Sequence, residues 1–327
     1  MKIENNFDVI VVGGGHAGTE AAAASARIGA KTALITHNIK KIGEMSCNPA
    51  IGGLGKGHLV KEIDALDGLM AKAIDKSGIQ HRVLNKSKGP AVRGPRAQAD
   101  RELYKRAIQH FLKNQKLLSI IEASVEDIEI FNNTINSVIL HNSVKLYSKT
   151  VVLTAGTFLR GMIKIGNSSY PAGRAGDKPS INLAKKIESL KFSIGRLKTG
   201  TPPRIEKLSI NYNKLEEQKP DKNPTPFSFV NKIINIEQVS CFITHTNEKT
   251  HKIIANNIHL SPMYSGKIEA MGARYCPSIE DKVNRFFNKK SHQIFLEPEG
   301  LDSNVIYPNG ISTSLPEHIQ EKFIKTI

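Results

Sequence analysis

Residues Asp8 to Gly18, DVIVVGGGHAG, restrict the chain to a narrow set of folds. Val9, Ile10, Val11 and Val12 form a continuous apolar run, the pattern of a strand buried on both faces of a parallel sheet. Gly13, Gly15 and Gly18 follow as G-x-G-x-x-G, and Thr19 to Ile28 reads as an Ala-rich helix closed by Gly29. Strand, glycine turn and helix in this order are the context of a dinucleotide-binding fingerprint. The glycines permit a tight turn and a close approach to a pyrophosphate, and the helix start offers free N–H groups and a positive dipole end. A second strand, Thr32 to Ile35, should end in an acidic residue that holds the ribose hydroxyls. It runs instead into Thr36-His37-Asn38, whose neutral side chains can still hydrogen-bond a ribose.

At 327 residues the chain has room for about two domains with ample core. No apolar run approaches the roughly 18 residues that span a bilayer, and MKIENNFD at the start lacks the apolar centre of a signal peptide. The 3 cysteines, Cys47, Cys241 and Cys276, are odd in number and lack metal-ligand spacing, which predicts neither disulfides nor a zinc site and points to a reducing cytoplasm. His245, Glu248 and His251 match no zinc motif and read as a surface turn. A net charge of +16 fits a polyanionic partner such as RNA, or the Lys-, Ile- and Asn-rich usage of an AT-rich genome.

Residues 43–57, GEMSCNPAIGGLGKG, are too broken for helix or strand and resemble a phosphate cradle. Gly57 after Gly55-Lys56 excludes a Walker A loop. A helix is predicted from His58 to about Lys76, with Leu59, Ile63, Leu66, Met70 and Ala73 as its core stripe. Lys86, Lys88, Arg93, Arg96 and Arg101 fall on a Gly/Pro loop, which suits phosphate contacts with a cofactor or RNA as well as it suits a solvated basic loop. A strand near Ile120–Val125 and a hairpin over Ile135–Leu146 precede a buried strand at Val151, and Ser180 opens a further helix. Residues 218–229 are a Pro-rich loop or linker. A strand at Val239–Thr244 and a helix at Lys249–Asn257 make 203–271 a small inserted α/β unit, with Cys241 in its core. Ser278 and Asp281 stand as a capping box, so Cys276 precedes a helix start, where the dipole favours a thiolate.

Long segments of the chain resemble the glucose-inhibited division protein A family, the flavoprotein subunit of a tRNA uridine 5-carboxymethylaminomethyl modification enzyme. The matching residues are GGGHAGTEAA (13–22), SCNPAIGGLGKGHLVKEIDAL (46–66), SKGPAVR (87–93), RAQADR (96–101), IGRLKTGTPPR (194–204), THTNEKTH (244–251), RYCPSIEDKV (274–283), IFLEPEGL (294–301) and YPNGISTSLP (307–316). The resemblance implies FAD, NADH as reductant, tRNA as substrate, a folate-binding GTPase partner, and assembly as a homodimer within a heterotetramer. It implies FAD contacts at Gly13, Gly14, Gly15, His16, Ala17, Gly18, Val125 and Ser180. It also implies a nicotinamide-nucleotide segment formed by Gly272, Ala273, Arg274, Tyr275, Cys276, Pro277, Ser278, Ile279, Glu280, Asp281, Lys282, Val283, Asn284, Arg285 and Phe286. The family's two cysteines correspond to Cys47 and Cys276, whose thiolates suit addition at C6 of a uridine, while inert buried thiols are the alternative at each.

The expected architecture is α/β: a Rossmann-like FAD-binding parallel sheet over 1–202, a smaller inserted α/β domain over 203–271, and a return to the first domain over 272–327. Family members continue past YPNGISTSLP with a glycine-rich stretch that completes the FAD site and a helical C-terminal domain. The sheet is therefore expected to lack a final strand. A catalytically inactive nucleotide- or RNA-binding fragment and a folate- and FAD-dependent tRNA uridine methyltransferase are the competing readings. SCNPAIGGLGKG and RYCPSIEDKV argue against the methyltransferase.

Overall fold

The computed structural model describes residues 5–266, 271–272 and 277–327. The opening apolar run is β1 (Asn6–Val12); the glycine turn leads into α1 (His16–Arg27) and then β2 (Thr32–Thr36). Next come β3 (Ala50–Gly52), α2 (Lys56–Ala65), α3 (Met70–Ser77), β4 (Gly78–Leu84), β5 (Gly94–Ala99) and α4 (Arg101–Lys113). The chain then returns through β6 (Leu118–Glu122), β7 (Val125–Phe131), β8 (Thr134–Leu140) and β9 (Lys145–Leu153).

These strands build a six-stranded sheet in the order β6-β2-β1-β9-β8-β7, parallel from β6 to β9 and antiparallel beyond. Alternate side chains of the central strands enter opposite cores. Val11 and Leu34 pack with Ala22 and Ala23 of α1 and Tyr104 and Ile108 of α4; Ile10, Val12, Ala33 and Ile35 pack with Val138 and Leu146. Burial on both faces is why the run 9–12 carries no polar alternation. The strands β3, β5 and β4 form a separate antiparallel sheet.

After β9 come the hairpin β10 (Met162–Ile165) and β11 (Ser168–Pro171), then α5 (Asn182–Ser189), whose Leu183 closes the second core. The remaining elements are β12 (Leu197–Lys198), β13 (Ile205–Glu206), β14 (Glu216–Gln218), β15 (Cys241–His245), α6 (Glu248–Asn256), β16 (Met271–Gly272), α7 (Ile279–Arg285), β17 (Gln293–Pro298), β18 (Val305–Asn309) and α8 (Glu317–Ile324). An antiparallel sheet in the order β13-β18-β17-β15-β14 carries Ile294, Leu296 and Ile306. They pack against Ile254 of α6, Ile279 and Val283 of α7, and Ile319 and Phe323 of α8.

Three expectations need correction. The second sheet draws strands from both sides of residue 271, because β15 pairs with β17 and β13 with β18, so a unit ending at 271 does not close. The single helix expected over 58–76 is two. Asp67 takes a positive φ of 66°, a Cβ on Gly68 would lie 2.3 Å from the Ile63 side chain, and Glu20 of α1 accepts from Leu69 N and Met70 N to start α3 anew. Within α2 the buried face is Gly57, Val60 and Asp64, so Leu59 and Leu66 point outward, at 58% and 78% exposed. The stretch 43–57 is not wholly irregular: it contains β3 and the start of α2. The Pro-rich stretch is a loop, as expected, and it is docked. Phe227 is buried in the first core, and Asp75 accepts from Phe227 N at 2.7 Å and Ser228 N at 2.9 Å.

Candidate functional site

The three fingerprint glycines meet three different constraints. Gly13 has φ 111°, and a Cβ there would lie 2.5 Å from Thr154 O. At Gly18 a Cβ would lie 1.7 Å from Gly13 O, so the first turn of α1 rests directly on the turn backbone. Gly15 differs from both: a Cβ there meets nothing within 4 Å. It is also the N-cap of α1 with no side-chain cap, so the helix start is left for an acceptor from outside the helix. His16 stands edge-on to Tyr104 at 5.6 Å, and burial holds it below the usual histidine range, so at pH 7 it is a neutral imidazole. A polyanionic pyrophosphate fits this cradle.

The C-terminal ends of the parallel strands bring the other expected contacts to the same edge. Val125 opens β7, paired with Leu140 of β8, with its side chain in the second core. Ser180 precedes α5 rather than beginning it; Ile181 is the N-cap. Its Oγ lies 3.4 Å from His37 Nε2, in the Thr36-His37-Asn38 segment that replaces the usual acidic residue. Asn38 is occupied in capping a short turn by accepting from Lys40 N. Residues that sequence reasoning left unassigned extend this edge. Phe158 packs edge-on to His37, Arg174 lies over the Phe158 ring, and Asp177 accepts from Lys41 at 2.6 Å and Arg174 at 2.9 Å. Burial alone would raise the Asp177 carboxyl, but these two cations hold it below the usual carboxylate range.

The loop carrying Cys47 departs from the same turn, where Gly43 N donates to Gly14 O at 3.0 Å. Cys47 is half-buried, with its Sγ 3.1 Å from the Tyr307 hydroxyl and 3.7 Å from Gly200 O. Arg101 donates to Met45 O and Cys47 O and pairs with Glu299 at 3.1 Å. Arg204 pairs with the same Glu299 at 2.6 Å and lies over the Tyr307 ring at 4.6 Å. Tyr307 and Arg204 sit in YPNGISTSLP and GTPPR, segments whose individual roles the sequence leaves open. Cys241, by contrast, is buried, and desolvation pushes its thiol up to about 12.

The basic segment divides in two. Lys86, Lys88 and Arg93 are exposed at the tip between β4 and β5. Arg96 and Arg101 are not loop residues: Arg96 lies in β5 and bonds Glu297 of β17 at 2.5 Å, and Arg101 holds the Cys47 loop. Both are committed inside the fold, so neither is available to RNA.

In the segment 272–286, Gly272 pairs with Lys198 in the short β12–β16 ladder. Ala273, Arg274, Tyr275 and Cys276 lie outside the described residues. Pro277 is exposed; Ser278 and Asp281 form the capping box of α7, whose Ile279 and Val283 enter the core of the second sheet. Glu280 is fully buried and accepts from Thr313 Oγ1 and Ser314 N, and Lys282 donates to Gly310 O. Asn284, Arg285 and Phe286 are exposed. Among the described residues, no helix is long and apolar enough to cross a membrane.

A parallel sheet whose first glycine turn presents an open helix start defines a dinucleotide-binding α/β protein, here with a second sheet domain docked on a cysteine loop. The model of the glucose-inhibited division protein A family matches residues 8–327, and the chain belongs to that family. It is similar to GidA of Aquifex aeolicus in two crystal forms. Form I gives a TM-score of 0.93 and 49% identity, covering 98% of this chain and 55% of that one. Form II gives 0.92 and 47%, covering 100% and 53%. The chain thus spans about half the length of those structures.

Proposed function

We propose that this chain binds FAD at the Gly13–Gly18 turn and serves a tRNA-modifying enzyme that places a carboxymethylaminomethyl group on C5 of a wobble uridine. The observation that carries the reading is the pairing of an uncapped, sterically open helix start with a half-buried thiol on the loop leaving the same turn. The N–H groups at the start of α1 would hold the pyrophosphate, Val125 would line the ligand, and Ser180 with His37 would meet the ribose end. When bound, FAD supplies the electron transfer that the carbon-unit chemistry requires, with NADH as its reductant at the 272–286 segment.

The reacting chemistry of the chain belongs to its thiols. A thiolate at Cys47 or Cys276 adds to C6 of the uridine, forming a C–S bond and making C5 nucleophilic. After C5 has captured a one-carbon unit from folate, the nitrogen of glycine bonds to that carbon as the folate nitrogen leaves, C5 loses its proton, and the C–S bond breaks to release the thiolate. The partner delivering folate chemistry is a GTPase, in a cytoplasmic heterotetramer built on a homodimer. The exposed Lys86, Lys88 and Arg93 would meet tRNA phosphates.

The test is made in the complete enzyme with its GTPase partner. Cys47→Ser and Cys276→Ser should each retain flavin absorbance, and loss of modification identifies the nucleophile. Full modification by both single variants and the double variant removes the thiol role. Gly15→Val should abolish flavin binding; a normal flavin spectrum in that variant overturns the assigned phosphate site.

A further inference from the structure

We propose that Tyr307 is a positioning residue for Cys47, its hydroxyl donating to the sulfur and so favouring the reactive thiolate in a single rotamer. The inference deepens the proposed nucleophile role of Cys47 and rests on that reading for its meaning in catalysis.

The geometry around the sulfur is asymmetric. On one side lies Gly200 O at 3.7 Å, which can only accept, and on the other the Tyr307 hydroxyl at 3.1 Å. Either atom of the pair can donate; with the thiol hydrogen directed to Gly200 O, the phenol hydrogen is the one directed to sulfur. Once the proton has left to solvent through the exposed part of Cys47, the Gly200 contact becomes repulsive. The phenol remains as a charge-assisted donor, stronger than a neutral one.

The surroundings reinforce this polarity. Tyr307 is 3% exposed, and burial drives its phenol well above the usual tyrosine range, so it stays protonated as a donor. Arg204 lies over its ring, which polarises the O–H bond further. Arg101 and Arg204 share the carboxylate of Glu299 beside the Cys47 loop, and Glu297, opposite Tyr307 on β17, is paired with Arg96. The donor comes from β18 of the second domain and the thiol from the first, so docking of the two sheets assembles the pair.

Tyr307→Phe keeps the ring, its packing and the cation above it, and removes only the donor. The measurement is the rate of Cys47 carboxamidomethylation by iodoacetamide against pH, in this chain, read at the Cys47 peptide by mass spectrometry. A C–S bond forms, iodide leaves, and the thiol proton goes to solvent. Loss of one hydrogen bond to a charged group should move the midpoint of the profile up by about one pH unit. A thiolate without its donor is more nucleophilic, so the high-pH plateau should rise about threefold while the rate at pH 7 falls about threefold. A role in packing alone would not move midpoint and plateau in these directions.

Incorporation of 3-fluorotyrosine strengthens the donor with little change of shape, and should move the midpoint down in the folded chain even if Tyr307→Phe does not fold. An unchanged midpoint in the fluorinated protein, or in folded Tyr307→Phe, overturns the proposal. Because the readout involves no tRNA, it stands apart from failure of Cys47 as the uridine nucleophile, which the serine variants report.

Discussion

Gly15 and Gly18 belong to one motif, but a side chain at Gly15 enters open space and one at Gly18 collides with the backbone of Gly13. Gly18→Ala should therefore destabilise the chain by about 1–3 kcal/mol through displacement of α1 from β1, seen as a lowered melting temperature. Gly15→Val should shift stability less and flavin affinity more, which separates the ligand contact from the packing contact. His81 carries a second residue-scale consequence. It is 2% exposed, and burial outweighs its hydrogen bond to Gln238, so its folded pKa lies below the ordinary 6.5. The unfolded chain then binds the extra proton, and stability present above about pH 6.5 is lost as the pH falls below it. Denaturant unfolding at pH 7 and pH 5 should show a loss of up to about 1.4 kcal/mol per pH unit from this group. His81→Leu should flatten that slope.

At the scale of elements, the second sheet ties 205–245 to 293–309. Removing 272–327 would take away Ile294, Leu296, Ile306, Ile319 and Phe323, each worth about 1.5–3 kcal/mol when buried. Their sum rivals the net stability of a whole domain, about 5–15 kcal/mol. A chain cut at 271 is expected to keep the first sheet and lose the second. Limited proteolysis should cleave it within 205–217 and 241–260 while leaving β1 to β9 and the loop docked by Phe227 protected, and protection of β15 in that fragment would contradict the topology. The α2–α3 break belongs to the same scale: Glu20, from α1, supplies the acceptor that begins α3.

Over the whole molecule, charge is divided between an outer set and an inner set. Arg96 and Glu297 join the small β3-β5-β4 sheet to the second sheet, with Glu297 fully buried and also accepting from Asn309. Arg96→Ala would strand a buried carboxylate, a loss of about 3–5 kcal/mol. If Lys88 and Arg93 meet tRNA phosphates, each contact contributes about 0.9 to the slope of log affinity against log salt. The Lys88→Ala/Arg93→Ala variant should then lower that slope by about 2, measured by filter binding across a salt series. Folded Arg96 variants should leave it unchanged, since that guanidinium faces Glu297 rather than solvent.

The sequence by itself determined the parallel sheet, the glycine turn, the capping box at Ser278 and Asp281, and the burial of Cys241. Each depends on neighbours a few residues apart: an unbroken apolar run, a turn that needs glycine, a side chain reaching its own helix start. What it could not determine was which polar groups turn inward. Arg96 and Arg101 read equally as phosphate ligands or as solvated charges until Glu297 and Glu299, about 200 residues away, arrive beside them. The stripe from Leu59 to Ala73 read as one core face until Gly68 and Glu20 split the helix after Leu66, and α2 buried Gly57, Val60 and Asp64 instead of Leu59 and Leu66. Only the tertiary structure pairs Cys47 with Tyr307. A charge, a hydroxyl or a thiol takes its role from the partner that desolvates it, and that partner is set by the packing of distant strands, not by local spacing.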